Sequence, residues 1–167
     1  MSEPNVHQPE WDHDFPDPPF RARAMRIGPR TGASEIGATL YEIDPGGAIA
    51  PYHVHHGNEE LLVVLSGTPD LRTPDGVRTL DAGATVAFPR GPAGAHRIAN
   101  SSDEPVRLLI FSTMNFPEVA EHLDTGTWLA MTGPADVRAF PTGSDVPVIE
   151  SSLQAMRAAA DRELESG

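Results

Sequence analysis

The chain contains no cysteine. That removes disulfides, thiolate metal ligands, Fe–S clusters and cysteine nucleophiles from consideration. Lysine is equally absent, since all 12 basic residues are arginine. Schiff-base chemistry, covalently held pyridoxal phosphate and a P-loop lysine go with it. Positive charge is scarce too: 24 acidic residues against 12 basic ones leave a formal net charge of -12. A surface of that sign argues against nucleic acid or an anionic membrane as a main partner. Nothing resembles a transmembrane run, and Met1 to Asn5 lack the basic and apolar regions of a signal peptide. The expected address is the cytoplasm. What remains for chemistry is His, Asp, Glu, Arg, Tyr and hydroxyls, which makes a bound metal the foremost source of reactivity.

At 167 residues the chain has room for one domain with tails and a real core. Residues 1 to about 20 are rich in Pro, Asp and His, which excludes a regular helix or a central strand. Trp11, Phe15 and Phe20 would be wasteful in a solvated leader, so this segment reads as an arm that packs on the body or on a second subunit. From Ser34 to Thr113 the pattern is all-β. Strands are expected at 36–43, 50–54, 60–65, 71–73, 77–80, 85–88, 96–99 and 106–112. Turn residues such as Pro45-Gly46-Gly47, Ser66-Gly67 and Asp81-Ala82-Gly83 separate them. Many short strands at this cadence point to a sandwich or a small jelly-roll barrel. Beyond Thr113 a short helix is expected at 117–122, then loop through Pro147. Ser151 to Gln154 fit a capping box, and Leu153, Met156, Ala160 and Leu164 recur at helical spacing, so a terminal surface helix is expected.

The residues with chemistry fall in two separated segments. His53 and His55 stand two apart, so an extended strand points both side chains to one face. Glu60 opens the next strand after the loop His56 to Glu59, and His96 lies two hairpins further on. Only a closed or curved sheet returns His96 to the same point, and the interior of a small β-barrel is such a place. Three imidazoles and one carboxylate suit one divalent transition metal: Fe, Zn, Mn, Ni, Cu or Co. Glu59 competes with Glu60 for the carboxylate role, and the register into Leu61–Leu65 favours Glu60. His56 reads as a loop residue or outer hydrogen-bond donor; His7, His13 and His122 read as solvent or packing residues. Asn100 reads as a turn residue tying its loop to Glu104. Arg97 should face away from His96, Arg90 could reach an anionic substrate, and the role of Tyr52 stays open.

These segments resemble a known family. Gly47 to Gly67 fit G-x5-H-x-H-x4-E-x6-G, and Gly83 to Asn100 approximate G-x5-P-x-G-x2-H-x3-N, the paired motifs of the cupin superfamily. The resemblance spans roughly residues 35 to 113 and is similar to small single-domain bacterial cupins of the cupin_2 type. One departure stands out: four residues, Pro92 to Ala95, separate Gly91 from His96 where the motif has two. The longer loop is expected to narrow or reshape the cavity. The resemblance implies an all-β double-stranded β-helix, or jelly-roll barrel, with a metal in its mouth held by His53, His55, Glu60 and His96. It divides the chain into a Pro-rich arm (1–33), a jelly-roll core (34–114) and a C-terminal extension with a terminal helix (115–167).

Four protein ligands leave one or two positions open on an ion that accepts five or six. The leading expectation is a metal-dependent enzyme acting on a small carbonyl, enol or carboxylate substrate, with dioxygenase first and isomerase or lyase as the alternative. A non-catalytic small-molecule-binding cupin comes next, and a structural or storage jelly roll last. No acid–base residue stands out in the motifs; Glu59, Tyr41 and Tyr52 are the candidates. Exposed sheet edges and outer apolar faces suggest a homodimer.

Overall fold

The computed structural model describes residues 3–143. Its strands are β1 (His13–Phe15), β2 (Ala22–Arg26), β3 (Gly37–Ile43), β4 (His53–His55), β5 (Glu60–Ser66), β6 (Asp70–Thr73), β7 (Gly76–Thr79), β8 (Thr85–Phe88), β9 (Arg97–Ala99), β10 (Val106–Ser112), β11 (Glu118–His122), β12 (Thr127–Gly133) and β13 (Asp136–Pro141). A short helix, α1 (Ile27–Thr31), and a 3-10 turn at Pro92–Gly94 complete the elements. One wall is a six-stranded sheet in the order β1-β2-β3-β10-β5-β8. The facing wall consists of β13-β12-β11-β4 and β7-β6-β9, joined by single bridges at His53–His96 and Ala48–Ala99. The result is a jelly roll, as the turn cadence and the motifs implied. No helix of the described residues is long and apolar enough to cross a membrane.

The strands form where alternation is strong. Along β5, Leu62 and Val64 are buried while Leu61 and Leu65 face outward, and along β10 Val106, Leu108 and Ile110 are buried in turn. Although Leu108 to Phe111 are apolar at every position, they bury with this period of two. These side chains join Ile43, Leu71, Leu80, Phe88 and Ile98 in one apolar core between the walls. Burying each large member contributes about 1.5 to 3 kcal/mol relative to exposure. Asn100 is buried and donates both to Ile43 O and to Glu104 O, so it does tie its loop as expected.

Two expectations need correction. Residues 117–122 are not a helix, and the segment that follows is not a loop: β11, β12 and β13 form a meander there. The reason is tertiary. Strand β11 docks antiparallel on β4, which buries Glu118 and Ala120 and leaves Val119 exposed. Pairing and period-two burial override the modest helical leaning of Glu-Val-Ala-Glu. The terminal helix expected from Ser151 onward lies outside the described residues.

The arm does pack on the body. Strand β1 pairs with β2, and β2 with β3, so this segment extends the larger sheet. The Arg23 guanidinium sits 5.3 Å from the Trp11 ring centre. Arg30 reaches Glu10 and Asp12 at 3.1 and 2.6 Å, and Asp12 also accepts from the Arg26 N–H. The Arg30 hydrogen bond, followed by the Arg26 N–H, holds the Asp12 carboxyl below its ordinary value. Phe15 and Phe20 lie against each other and stay substantially exposed.

Candidate metal centre

Strand β4 presents His53 and His55 toward the barrel interior, while Tyr52 and Val54 face the other way and pack with Ala95. The open question over Tyr52 thus has an answer: it is a buried packing residue that carries the Arg72 guanidinium 4.0 Å above its ring. Glu60 enters from β5, beside Phe88 of β8 in the sheet register. His96 precedes β9 and exchanges both backbone hydrogen bonds with His53. One ligand atom from each of His53, Glu60 and His96 lies within 4.8 Å of the others. His55 stands at the rim of this group, its Nε2 3.5 Å from Glu60 Oε2. Glu59 is exposed and uses its backbone N–H on Thr113 Oγ1.

The histidines are held by their far nitrogens. His53 Nδ1 lies 2.9 Å from Pro51 O and His96 Nδ1 lies 2.9 Å from Gly94 O. A carbonyl only accepts, so both Nδ1 atoms carry a proton and both rings turn Nε2 toward the cluster. His96 Nε2 faces Glu60 Oε2 at 3.3 Å. A proton or a metal cation between Nε2 and Oε2 would satisfy this contact. This donor set fits a divalent ion, because imidazole nitrogens anchored through Nδ1 and a facing carboxylate are common metal ligands.

The electrostatics favour the ligand forms. Burial, then the charges of His96 and His55, push His53 down to about 4. Burial pushes the Glu60 carboxyl upward, but the His96 hydrogen bond and the charges of His55, His96 and His53 outweigh it and hold it below its ordinary value. Near pH 7 both groups therefore keep their lone pairs. Tyr41 has the opposite bias: burial first, and the Glu60 charge second, raise its hydroxyl to about 12.

The longer loop before His96 has a specific place. Its extra residues form the 3-10 turn whose Gly94 carbonyl anchors His96, and the Gly91 N–H donates to His55 O at 2.7 Å. A Cβ at Gly94 would stand 1.7 Å from Pro89 O, so only glycine fits this close turn. The loop backs the site from behind His96. The Phe88 ring stacks on His96 with centres 3.7 Å apart and closes the inner side.

Strand β11 carries residues that the motifs do not mark. Glu118 is 2% exposed; it lies 3.1 Å from His55 Nδ1 and accepts from Asn58 Nδ2 at 2.7 Å. His122 pairs with His53 in the strand register, with ring centres 6.1 Å apart. Its sequence context suggests a solvent or packing residue, and instead it borders the site. Burial, then the charge of His55, lowers its pKa. No local pattern marks them, since each meets its partner only through the pairing of β11 with β4. His56, by contrast, stacks on Trp128 outside the cluster.

Residues 39–112 match the Cupin domain family. No functionally curated protein matches the chain by sequence. Among solved structures, the chain is similar to a sugar phosphate isomerase of the cupin superfamily from Silicibacter pomeroyi DSS-3. The two are 25% identical over 77% of this chain and 82% of that one, with a TM-score of 0.69. It is also similar to a putative sugar phosphate isomerase from Acidithiobacillus ferrooxidans ATCC 23270, at 25% identity over 83% of this chain and 86% of that one, with a TM-score of 0.71. The jelly roll, both motifs and these similarities agree that residues 39–112 form a cupin domain.

Proposed function

We propose that this cupin is a metal-dependent isomerase acting on a small phosphorylated hydroxy-carbonyl compound, with His53, His55, Glu60 and His96 as metal ligands. The observation that carries the metal is the meeting of His53 Nε2, His96 Nε2 and Glu60 with both Nδ1 atoms anchored on carbonyls. The substrate class is supported by the two similar chains described as a sugar phosphate isomerase and a putative one. This reverses the order drawn from the residues alone, where dioxygenase led.

A bound divalent ion, one of Fe, Zn, Mn, Ni, Cu or Co, would supply Lewis acidity to a substrate oxygen. The remaining work belongs to the chain. His122, whose ring centre lies 6.1 Å from that of His53, would take a proton from one substrate carbon and return it at the next through an imidazole nitrogen. Tyr41, kept protonated by burial, is a hydrogen-bond donor rather than a base. Phe88 keeps water from the inner side of His96. Arg90 is exposed and adjoins Gly91, whose N–H holds the His55 carbonyl; it supplies a cation for a phosphate at the rim.

A second reading rests on one observation: His53, His96 and Glu60 form a two-histidine, one-carboxylate group, a set that also serves Fe(II) oxygenases. The experiment that separates the readings begins with metal analysis of the purified protein. Sugar phosphates are then incubated in heavy water with oxygen uptake recorded. Deuterium entering the carbon next to the carbonyl, without oxygen uptake, supports the isomerase. Iron with substrate-dependent oxygen uptake replaces it with the dioxygenase, and a protein that retains no metal rejects both. We also propose a homodimer, since Leu61 and Leu65 lie exposed on the outer face of β5; sedimentation would test it.

A further inference from the structure

Glu118 lies outside both motifs and outside the matched residues 39–112, yet it is 2% exposed. A buried carboxylate is costly unless each oxygen has a partner. The partners here are unequal, and a short chain of hydrogen bonds sets their direction. The Asn115 N–H donates to Asn58 Oδ1 at 2.6 Å, and Thr113 Oγ1 lies 3.1 Å from the same oxygen. These contacts orient the Asn58 amide, so its Nδ2 donates to Asn115 O and to Glu118 Oε2. Oε2 is thereby committed as an acceptor. Oε1 remains for His55 Nδ1 at 3.1 Å.

The tight fit around this carboxylate is a separate observation. A Cβ at Gly57 would lie 2.3 Å from Glu118 Oε2. The backbone between His55 and Asn58 therefore closes on the carboxylate, and position 57 has no space for a side chain while the carboxylate stays in place. His53 and His96 obtain the same service from backbone carbonyls. His55 is the one member of the proposed ligand set whose Nδ1 partner is a side chain.

We propose that Glu118 is a positioning residue: it accepts the His55 Nδ1–H, fixes that tautomer, and turns Nε2 toward the point that His53, Glu60 and His96 share. The proposal rests on the reading of this cluster as a metal centre. Outer carboxylates that orient a ligating histidine commonly contribute about 10- to 100-fold in metal affinity. Glu118→Gln keeps the size but breaks the network. An amide must set an NH2 against either Asn58 Nδ2 or His55 Nδ1–H, two donors facing each other.

The test uses the full chain with Zn2+ and Co2+ as probes, and nitrogen NMR of the histidine rings in the metal-free protein. Wild type should show His55 protonated at Nδ1. In Glu118→Gln that signal should change or average between tautomers, and affinity for both ions should fall by about 10- to 100-fold. If Glu118→Gln fails to fold, Gly57→Ala displaces the carboxylate without removing it and should weaken binding in the same direction. Unchanged His55 signals with unchanged affinity in a folded variant would overturn the proposal. If wild type binds neither ion while the His55 tautomer still depends on Glu118, the positioning role stands and the metal reading falls.

Discussion

The two ends of the barrel interior are built by the same strands to opposite ends. On β5, Glu60, Leu62 and Val64 share one face, yet the first belongs to the His53–Glu60–His96 cluster and the other two to the apolar core. The bridge segment repeats the pattern, with His96 at the mouth and Ile98 two residues deeper. Phe88 marks the boundary, packed in the core on one side and stacked on His96 on the other. At the deep end apolar burial stabilises the fold. At the mouth, acceptors and their anchors are gathered at the expense of desolvation, which is why His53 titrates so low. The comparison teaches that one alternating pattern can supply stability and chemistry, divided by depth along the strand.

Breaking the mouth should have the largest effect on function and little on the core. His53→Ala or His96→Ala should abolish metal retention while leaving the circular dichroism of the fold in place; full occupancy in both variants, read by elemental analysis, would remove the site assignment. Breaking the deep end should do the reverse. Leu62→Ala or Leu108→Ala should cost about 2 to 5 kcal/mol in chemical denaturation, with metal stoichiometry kept by the folded fraction. A loss of metal from a fully folded Leu62→Ala protein would show that the two ends are not separable.

Acid should sharpen the contrast by acting first on the mouth. His53 titrates at about 4 in the fold against 6.5 ordinarily, so between those values the unfolded chain binds the extra proton. Stability of the metal-free protein should therefore fall as pH drops from about 6.5 to about 4, by up to about 3 kcal/mol from this group. Glu60, lowered in the fold, adds a further loss as pH falls through its folded value. Urea midpoints measured across this range should flatten in His53→Gln; an equally steep dependence there would assign the effect elsewhere. Arg90→Ala should raise KM for phosphorylated substrates without changing metal content. The smallest effect belongs to Glu59→Gln: within about 0.5 kcal/mol in stability and no change in metal affinity, because its side chain is exposed.

Much of this architecture is legible in the sequence. Strands at 85–88 and 106–112 fall where alternation and bounding turns put them. His53, Glu60 and His96 meet because their spacing has one economical solution in a closed sheet. The C-terminal meander was not legible. Glu-Val-Ala-Glu-His has no local preference strong enough to choose a strand, and only the free edge of β4 decides the matter. Glu118 and His122 were hidden for the same reason, since each meets its partner across a long stretch of chain.

By itself the sequence determined which chemistry was possible. Without Cys or Lys, and with a His-x-His pair, an acid and a distant His, oxygen and nitrogen ligation was the main route to reactivity. The alternation of side chains also determined which face each strand buries. Only the tertiary structure decided the protonation geometry, because each Nδ1 proton is placed by an acceptor whose position depends on the closed barrel. It alone brought Glu118 to His55 across 63 residues, a contact that no local pattern encodes and that depends on β11 pairing with β4.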